Sequence, residues 1–324
     1  VGFQSDFTWI KARTNGSNNH ALTDSVRGTG SGNGLSSNTT GAEGQYSAAY
    51  GYLSAFGTDG FTVTGGTTSS GFVNNENTTY VSWNWKAGGP DVLNEQGSID
   101  SQVSANVDAG FSIATWTGDN SASNIGHGLG GIPELWIVKN RTGTNSWVVG
   151  MPNAIGTGYL LLNDAAAKSP SNIWGTIPDS TKYYFNTAAG GNGYLSTGNY
   201  VGYFFRSIDG YSKIGSYTGT SATGHTIVTG FRPAFLLIKS ASSGEYWNIW
   251  DNKRSVQNPR SDVLIPNLSS TEFSNQSWSD VDFNSNGFTL TSSVYTPTNA
   301  SGQTYIFMAF AEEGLPTVTR NAIN

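Results

Sequence analysis

Apolar and polar residues alternate in short segments along most of this chain, and turn-forming residues separate the segments. Three of the segments end on a lysine, with the sequences WIK (9–11), IVK (137–139) and LIK (237–239). Each follows a glycine-rich approach, GFQS, GGIP or GFRP, of a kind that leads from a turn into a strand. Period-two segments of about five to eight residues, without a helical stripe of useful length, predict an all-β protein made of antiparallel sandwiches.

Further motifs follow each lysine in the same order. Stretches of equal length run from Asn38 to Glu43, from Asn163 to Lys168 and from Asn267 to Glu272. The segments FGTDGFTVT (56–64) and FNSNGFTLT (283–291) match without a gap, and their Asp-Gly and Asn-Gly pairs predict hairpin turns. The middle copy has only a blurred equivalent near YYFNT.

These repeated motifs predict three tandem β-sandwich units, lectin-like or jelly-roll-like in class. We expect the units at residues 1–89, 107–210 and 211–316, with a linker at 90–106 and a tail at 317–324. The segments GFSIATWTGDN (110–120) and YSKIGSYTGTS (211–221) have no counterpart before Val1. The first unit is therefore expected to lack its opening strand, and protein outside residues 1–324, either upstream or in a neighbouring copy, is expected to supply it.

Each unit closes on a strongly aromatic segment: TYVSWNW, NYVGYFF or TYIFMAF. Strand alternation places one large apolar row on a single face of these segments. A row that is large in every copy is typical of a core, so we do not expect it to bind a ligand. Its members are Val81, Trp83, Trp85, Val201, Tyr203, Phe205, Ile306, Met308 and Phe310.

Composition narrows the choice of partners. Only 12% of residues are charged and the net charge is -6, so there is no basic stripe for nucleic acid. The chain has no long apolar run, so membrane insertion is not expected. It contains no cysteine, which excludes disulfides and thiolate chemistry.

Taken in order, the motifs resemble the tandem domains of unknown function found in virion and tail proteins of marine bacteriophages. The segments that carry the resemblance are GFQSDFTWIKAR, LSSNTTGAE, DGFTV, TYVSWNWKAGG, IGHGLGGIPELWIVKNR, YSKIGSYTG, GFRPAFLLIK and TYIFMAFAE. The resemblance implies a bacteriophage structural protein exposed on the virion surface, as a tail fibre, tail appendage or head decoration. It implies no reaction.

The sequence offers little for catalysis. His20, His127 and His225 do not share a position in the repeat, and no G-x-S-x-G elbow focuses a serine. We therefore predict a protein without enzymatic activity, cofactor or metal. The stretch Asn74–Asn77 carries oxygen ligands of a kind that Ca²⁺ accepts, but its single carboxylate favours a solvated hairpin tip.

Two groups of residues are candidates for ligand binding. The pairs Asp24/Arg27 and Asp251/Arg254 share an Asp-x-x-Arg spacing that the middle unit lacks, and they either grip a polar ligand or brace a turn as an ion pair. Tyrosines in the first unit alone, at Tyr46, Tyr50 and Tyr52, are candidates for a sugar contact. Among the other aromatics, Trp147 and Trp247 are expected to be shared scaffold, and Trp174 and Trp278 stay open.

The expected function is that of a non-enzymatic virion protein, and a glycan or other molecule of the host surface is its expected ligand. Its expected partners are other virion proteins and copies of itself, in a symmetric homo-oligomer. A bacterial extracellular fibre or adhesin is the alternative. A glycan depolymerase is a further alternative, and it would require a carboxylate pair about 5–9 Å apart in a groove.

Overall fold

The computed structural model describes residues 1–186, 197–275, 279–292, 296–312 and 314. It is all-β, with 39% strand and 4% helix, as the alternation predicts. The helices are single turns at α1 (Ser47–Tyr50), α2 (Pro152–Ile155) and α3 (Thr296–Asn299). None of the helices in the described ranges has the length and apolar character needed to cross a membrane.

The strands of the described residues are short and all pair antiparallel. In chain order they are β1 (Phe7–Ala12), β2 (Ala21–Asp24), β3 (Tyr52–Gly57), β4 (Gly60–Thr64), β5 (Tyr80–Trp85), β6 (Val92–Asn94), β7 (Ser101–Asn106), β8 (Phe111–Thr117), β9 (Ser123–Gly126), β10 (Leu135–Asn140), β11 (Val148–Gly150), β12 (Leu160–Leu161), β13 (Lys182–Phe185), β14 (Asn199–Phe205), β15 (Ser212–Thr218), β16 (His225–Val228), β17 (Pro233–Ser240), β18 (Asn248–Asp251), β19 (Val281–Asn284), β20 (Gly287–Leu290) and β21 (Thr304–Ala311).

Three large sheets contain the lysine-ending strands. Their strand orders are β2-β1-β5, β12-β11-β10-β14-β8-β7-β6 and β18-β17-β21-β15. In each sheet the lysine-ending strand pairs with the aromatic closing strand, in registers that set Lys11 opposite Val81, Lys139 opposite Val201 and Lys239 opposite Ile306. The prediction of strands at 7–11, 135–139 and 235–239 is confirmed.

Smaller sheets accompany the large ones, with orders β3-β4, β13-β9 and β16-β20-β19. The two predicted hairpins are present: β3 meets β4 around Thr58-Asp59, and β19 meets β20 around Ser285-Asn286. Gly287 closes the second turn with a φ of 156°, which is accessible to glycine.

One face of all three large sheets packs into a single common core. The aromatic row lies on this face, where Trp83, Trp85, Tyr203, Phe205 and Met308 are buried, and Val81 and Phe310 are partly buried. The prediction that the row is core is confirmed. Its surroundings differ from the expectation of one core in each sandwich, because alternation shows that a face is buried but not what covers it.

The opposite faces of the large sheets have separate cores. Residues such as Trp136 and Phe204 pack with Tyr183 of the β13-β9 sheet, and Leu236 packs with Phe288 of the β16-β20-β19 sheet. The matching cluster beneath the first sheet is much smaller, and its buried members are Ile10, Phe72 and Val73.

Residues 90–106, expected as a linker, instead form strands. They contain β6 and β7, which extend the second large sheet beyond β8. Val103 of β7 is buried, and Ser104 Oγ donates a hydrogen bond to the carbonyl of Gly89 at 2.7 Å. The alternation in QVSAN therefore serves a strand that the repeat comparison treated as extra length.

Three similar backbone hydrogen bonds join the sheets to one another in a closed order. In each, an N–H from the stretch that begins at a repeated asparagine donates to a carbonyl just after a lysine-ending strand. The pairs are Glu43 to Arg141 at 2.8 Å, Lys168 to Ala241 at 2.9 Å and Glu272 to Arg13 at 2.8 Å. We call the parts of the chain that carry β1–β5, β6–β14 and β15–β21 the first, second and third segments. The first segment thus contacts the second, the second contacts the third, and the third contacts the first.

The first sheet differs from the others at one edge. The closing strands β14 and β21 each pair on their outer side with an opening strand, β8 or β15. Among the described residues β5 pairs only with β1, so the first sheet has no opening strand there. The expectation that protein outside residues 1–324 supplies this strand stays a prediction.

Candidate functional site

The first Asp-x-x-Arg pair lies between the first and second sheets. Asp24 ends β2, and its Oδ2 accepts a hydrogen bond from Arg27 Nε at 2.5 Å, with both side chains fully buried. The Arg27 guanidinium also donates to Glu43 Oε1 at 2.7 Å and to the carbonyl of Leu22 at 3.2 Å. The Tyr203 hydroxyl, from β14, donates to Asp24 Oδ2 at 2.7 Å. The pair therefore bridges two sheets.

Burial and charge act in opposite directions in this cluster. Burial alone would lower the pKa of Arg27, but the carboxylates of Asp24 and Glu43 raise that pKa on balance. Burial raises the pKa of Tyr203 well above its ordinary value, so its hydroxyl stays protonated and donates. The guanidinium is thus a permanently charged centre inside the protein.

The second pair repeats this arrangement between the third and first sheets. Asp251 Oδ2 accepts from Arg254 Nε at 2.6 Å, and Arg254 donates to Glu272 Oε2 at 2.8 Å and to the carbonyl of Ile249 at 2.8 Å. Trp83 of β5 takes the role of the tyrosine, because its Nε1 donates to Asp251 Oδ2 at 3.0 Å. Burial alone would raise the pKa of Asp251, but the Arg254 charge lowers it.

The contact between the second and third sheets is apolar and has no ionic pair at this position. Continuing the register of β10 and β11 places Met151 at the position of the two aspartates, and Ala154 follows at the position of the arginines. Met308 occupies the position of Tyr203 and Trp83 in the common core. The chain has only 2 methionines, and both stand at this junction. At this junction Met151 and Met308 thus stand where the other two junctions have an ionic pair and its donor.

Both ionic pairs were predicted either to hold a ligand or to brace a turn. The structure gives every charged atom of these pairs an internal partner and little surface, since Arg27 and Arg254 side chains are 0% and 2% exposed. The arrangement can hold two sheets in register and fix the turn after β2 or β18. Ligand binding at these residues stays a prediction.

The lysines of the WIK, IVK and LIK motifs are buried, which the sequence pattern did not predict. Lys11, Lys139 and Lys239 are all 0% exposed. Each ammonium group donates to backbone carbonyls, and two of them reach another segment: Lys11 to Ser269 at 3.2 Å and Lys239 to Ala165 at 3.1 Å. Burial lowers the pKa of each lysine to about 8. The available signal was a lysine near the end of three apolar strands, and the sequence pattern was used only for alignment.

Ring N–H groups form another set of contacts between segments. The donors are the residues just before β2, β11 and β18, and each acceptor is a backbone carbonyl of another segment. The pairs are His20 to Ile265 at 3.1 Å, Trp147 to Ser36 at 2.9 Å and Trp247 to Leu161 at 2.8 Å. Side-chain oxygens of Asn38, Asn163 and Asn267 accept from the backbone N–H of the same three residues. The tryptophans expected to be scaffold are scaffold in the structure.

The histidines in the interior are neutral donors and acceptors. His20 Nδ1 accepts from Trp9 Nε1 at 2.8 Å, which leaves Nε2 to donate, and burial lowers its pKa to about 3. His127 Nδ1 accepts from the Leu129 N–H at 3.1 Å, and burial lowers its pKa as well. His225 Nδ1 lies 3.1 Å from Asn299 Oδ1 at the start of β16. The structure does not bring the three histidines together.

The tyrosines of the first segment lie around α1. Tyr46 precedes the helix, Tyr50 ends it and Tyr52 begins β3. The rings of Tyr46 and Tyr50 pack against Phe72 at centroid distances of 6.4 and 5.2 Å, and Tyr50 is 37% exposed. This cluster can offer an aromatic face to a sugar, and its role as a site stays a prediction.

The remaining candidates are the possible Ca²⁺ ligands at Asn74–Asn77 and the tryptophans Trp174 and Trp278. In the stretch Asn74–Asn77, the backbone N–H of Asn75 donates to Tyr80 Oη at 2.8 Å. Within the described ranges no group of three or more metal-binding side chains is close enough to hold an ion. Trp174 is buried at 2% exposure. Trp278 and the tail at 317–324 lie outside the described residues.

An open groove of about 570 Å³ lies beside the end of β5. Asp6 lines it, and its Oδ2 accepts from the Ala87 N–H at 2.7 Å while burial raises its pKa. Glu134 makes the same contact in the next segment, accepting from the Ser207 N–H at 2.6 Å. Asp6 and Glu134, which the sequence pattern did not single out, thus fix the backbone just after the closing strands β5 and β14.

Comparison with known proteins places the chain in a family. The model for a domain of unknown function, DUF7483, matches residues 1–314. No curated protein and no solved structure matches the chain. Because the match covers nearly the whole sequence, this protein belongs to the DUF7483 family of domains of unknown function.

Proposed function

We propose that this chain is a non-enzymatic structural protein of a bacteriophage particle, exposed at the virion surface as a tail fibre, tail appendage or head decoration. Its partners are other virion proteins, copies of itself and a glycan or other molecule of the host surface. The ordered motifs that resemble phage virion domains support the particle assignment.

The observation that carries the structural role is the use of ionisable side chains as internal braces. Arg27 and Arg254 hold two carboxylates each, and two of the buried lysines, Lys11 and Lys239, donate to carbonyls of another segment. Groups held in this way by several partners resist rearrangement, and they favour a rigid body over a reacting site. A rigid body suits display and assembly.

The proposal includes a repeated architecture. Three related sandwich units would each combine one large sheet with one small sheet and would share the common core. The matched contacts Glu43–Arg141, Lys168–Ala241 and Glu272–Arg13 support this division, because each joins corresponding positions of successive units. Repetition of this kind also supplies several similar outward faces, and linked faces gain avidity without new chemistry.

Contact with a glycan is assigned to the tyrosine cluster of the first unit. Tyr50 combines an exposed ring with a fixed position on Phe72, and an aromatic ring held in this way can stack on the C–H face of a sugar. The chain as a whole is poor in charged residues, at 12%, which suits recognition of an uncharged sugar. Weak single contacts would add across copies of the particle protein.

A glycan depolymerase is the second candidate, and the carboxylates disfavour it. Glycoside hydrolysis needs one carboxylic acid and one free carboxylate facing a sugar. The pairs Asp24/Glu43 and Asp251/Glu272 each enclose an arginine instead of a groove. A bacterial fibre or adhesin keeps the same structural role and differs only in its origin.

Location on a particle tests the proposal. Antibody fragments raised against residues 1–324 should decorate purified phage particles at a fixed place when viewed by electron cryo-microscopy. Absence of the chain from intact particles, with its presence on the bacterial surface, would favour the adhesin. Release of reducing sugar from host polysaccharide by the purified chain would favour the depolymerase.

A further inference from the structure

The second large sheet carries two strands that the other large sheets lack among the described residues. β6 and β7, both within residues 90–106, extend it beyond β8, whereas the third sheet ends at β15. At the next junction of the chain β14 is followed directly by β15. Because function resides in sites that are grafted on a fold, an addition to one segment alone is a place to expect a specific contact.

A groove of about 260 Å³ lies where the added strands meet the rest of the sheet. One side is formed by Leu93 of β6 and by residues 100–102 at the start of β7. The other side includes Thr117, which ends β8, Asn199, which begins β14, and Arg141, which follows β10. The groove therefore requires both the added strands and the strands that recur in the other sheets.

Strand pairing places polar side chains from four neighbouring strands in one line across this groove. Asn199 lies opposite Thr117, and the Arg141 N–H donates to the Asn199 carbonyl at 2.7 Å. Continuing the register of β7 and β8 places Asp100 opposite Thr117. With neighbouring strands about 4.8 Å apart, the line of four side chains spans about 14 Å. Residues opposite one another share a face of the sheet, so all four are available to one elongated ligand.

Two of these side chains are held in place by other parts of the protein. Thr117 Oγ1 donates to Asn199 Oδ1 at 3.0 Å, and the Nδ2 group of this amide has no hydrogen-bond partner among the described residues. Arg141 Nε donates to Glu43 Oε2 at 2.9 Å, and the same glutamate binds the buried Arg27. Side chains that are ordered before binding lose little conformational entropy when a ligand arrives.

The groove offers mainly uncharged hydrogen-bonding groups beside one apolar wall. Asp100 and Gln102 are exposed, so the carboxylate can accept hydrogen bonds from hydroxyl groups and the amide can both donate and accept them. The charge of Arg141 is paired with Glu43 and the net charge of the chain is -6, which disfavours a phosphate or another anion. Leu93 is 55% exposed and can contact C–H groups. This combination matches the hydroxyl and C–H groups of an uncharged saccharide.

The third sheet shows the same position without a groove. Thr218 of β15 lies opposite Thr304 of β21, in the places of Thr117 and Asn199. The Ala241 N–H donates to the Thr304 carbonyl at 2.9 Å, so an alanine stands in the place of the arginine. The third sheet thus lacks the amide and the guanidinium at this line. Thr218, which is exposed, is a matched control position.

We propose that the groove between the added strands and β8 binds an uncharged saccharide. Asp100, Gln102 and Asn199 form hydrogen bonds to its hydroxyl groups, and Arg141 donates from the far end of the line. The site is separate from the tyrosine cluster around Tyr50, and it does not depend on the place of the chain in a particle. Two separate contacts on one chain would add to its avidity for a glycan surface.

Saccharide binding by the full chain tests the proposal. A printed array of neutral and anionic bacterial polysaccharides identifies the neutral polysaccharide that binds best, and isothermal titration with an oligosaccharide from it gives a Kd. Asp100→Ala and Asn199→Ala should each raise this Kd at least about fivefold, because each removes hydrogen bonds to the ligand. Thr218→Ala should leave the Kd unchanged.

The other outcomes of the titration separate this site from the tyrosine cluster. If Tyr50→Ala abolishes binding while Asp100→Ala and Asn199→Ala leave the Kd unchanged, the contact lies at the tyrosine cluster and the groove is not a site. Binding to anionic polysaccharides alone, or to no polysaccharide, also overturns the proposal.

Side-chain amide resonances give an independent readout on the folded protein. In ¹⁵N-labelled chain, the amide resonances of Asn199 and Gln102 are assigned by their loss in Asn199→Ala and Gln102→Ala. Both should shift when the same oligosaccharide is added, because both amides line the groove. The amide of Gln96, which is exposed between β6 and β7 outside the groove, should not shift. Binding that leaves the Asn199 and Gln102 resonances unchanged would contradict the proposal.

Discussion

Replacing Arg27 by alanine is the most informative test of the buried ionic pairs. The change leaves the Asp24 carboxylate fully buried without its counter-charge. Glu43 keeps a partner, because Arg141 lies 2.8 Å from its other oxygen. The comparison variant is Asp24→Met/Arg27→Ala, which copies the residues Met151 and Ala154 of the middle segment.

The expected magnitudes follow from what each variant leaves behind. Breaking a buried ion pair costs about 3–5 kcal/mol, and Asp24 retains hydrogen bonds from Tyr203 Oη and from the Val26 and Arg27 N–H groups. We therefore expect Arg27→Ala to cost about 3 kcal/mol. The double variant removes the stranded charge and fills part of the space with a thioether, so it should be more stable than the single variant by about 1 kcal/mol or more.

Urea denaturation at pH 7, followed by tryptophan fluorescence, measures both free energies of unfolding. Because the central core joins all three sheets, we expect one cooperative transition. A double variant that is less stable than Arg27→Ala by the full cost of a second independent substitution would refute the reasoning. So would an Arg27→Ala cost below about 1 kcal/mol, typical of an exposed pair.

The remaining predictions concern pH, packing and ligand contact. Burial lowers the pKa of Lys11, Lys139 and Lys239 to about 8, so above that pH the unfolded chain binds more protons than the folded chain. The free energy of unfolding should therefore rise between about pH 8 and 10, by up to about 1.4 kcal/mol per pH unit for each lysine. Urea titrations at about pH 7.5, 8.5 and 9.5 check this rise, and a flat profile would contradict it. The pKa of His20 is lowered to about 3, so the melting temperature should fall as pH drops below about 6.5, and less so in His20→Gln. Trp83→Ala should cost about 3–5 kcal/mol, against less than about 0.5 kcal/mol for Val256→Ala at a residue that is 74% exposed. Tyr50→Ala should change stability by less than about 1 kcal/mol and should abolish retention on immobilised host glycan, whereas unchanged retention would place the contact elsewhere.

Local patterns were sufficient to predict most strands. The alternation around Lys11, Lys139 and Lys239 placed β1, β10 and β17, and the Asp-Gly and Asn-Gly pairs placed two hairpins. These features depend on neighbours within a few residues, which a sequence displays directly. The aromatic row was also recognisable as core, because large apolar side chains at period two have few other uses.

Long-range partners could not be read in the same way. Asp24 and Arg27 were visible as a pair, but Tyr203 lies 179 residues from Asp24 along the chain. Nothing local reveals that Met151 and Met308 stand where the other junctions have charge and a donor. Residues 90–106 were misassigned as a linker for a related reason, since extra length in a repeat does not show whether a sheet receives it.

Imaging of purified phage particles with an antibody fragment against residues 1–324 tests the central claim most directly. The claim is that this rigid, internally braced protein is a structural component exposed on the virion. We predict density for the fragment at a regular, repeated position on the outside of the tail or head. Particles that carry no fragment, although the chain is present in the same lysate, would contradict the account.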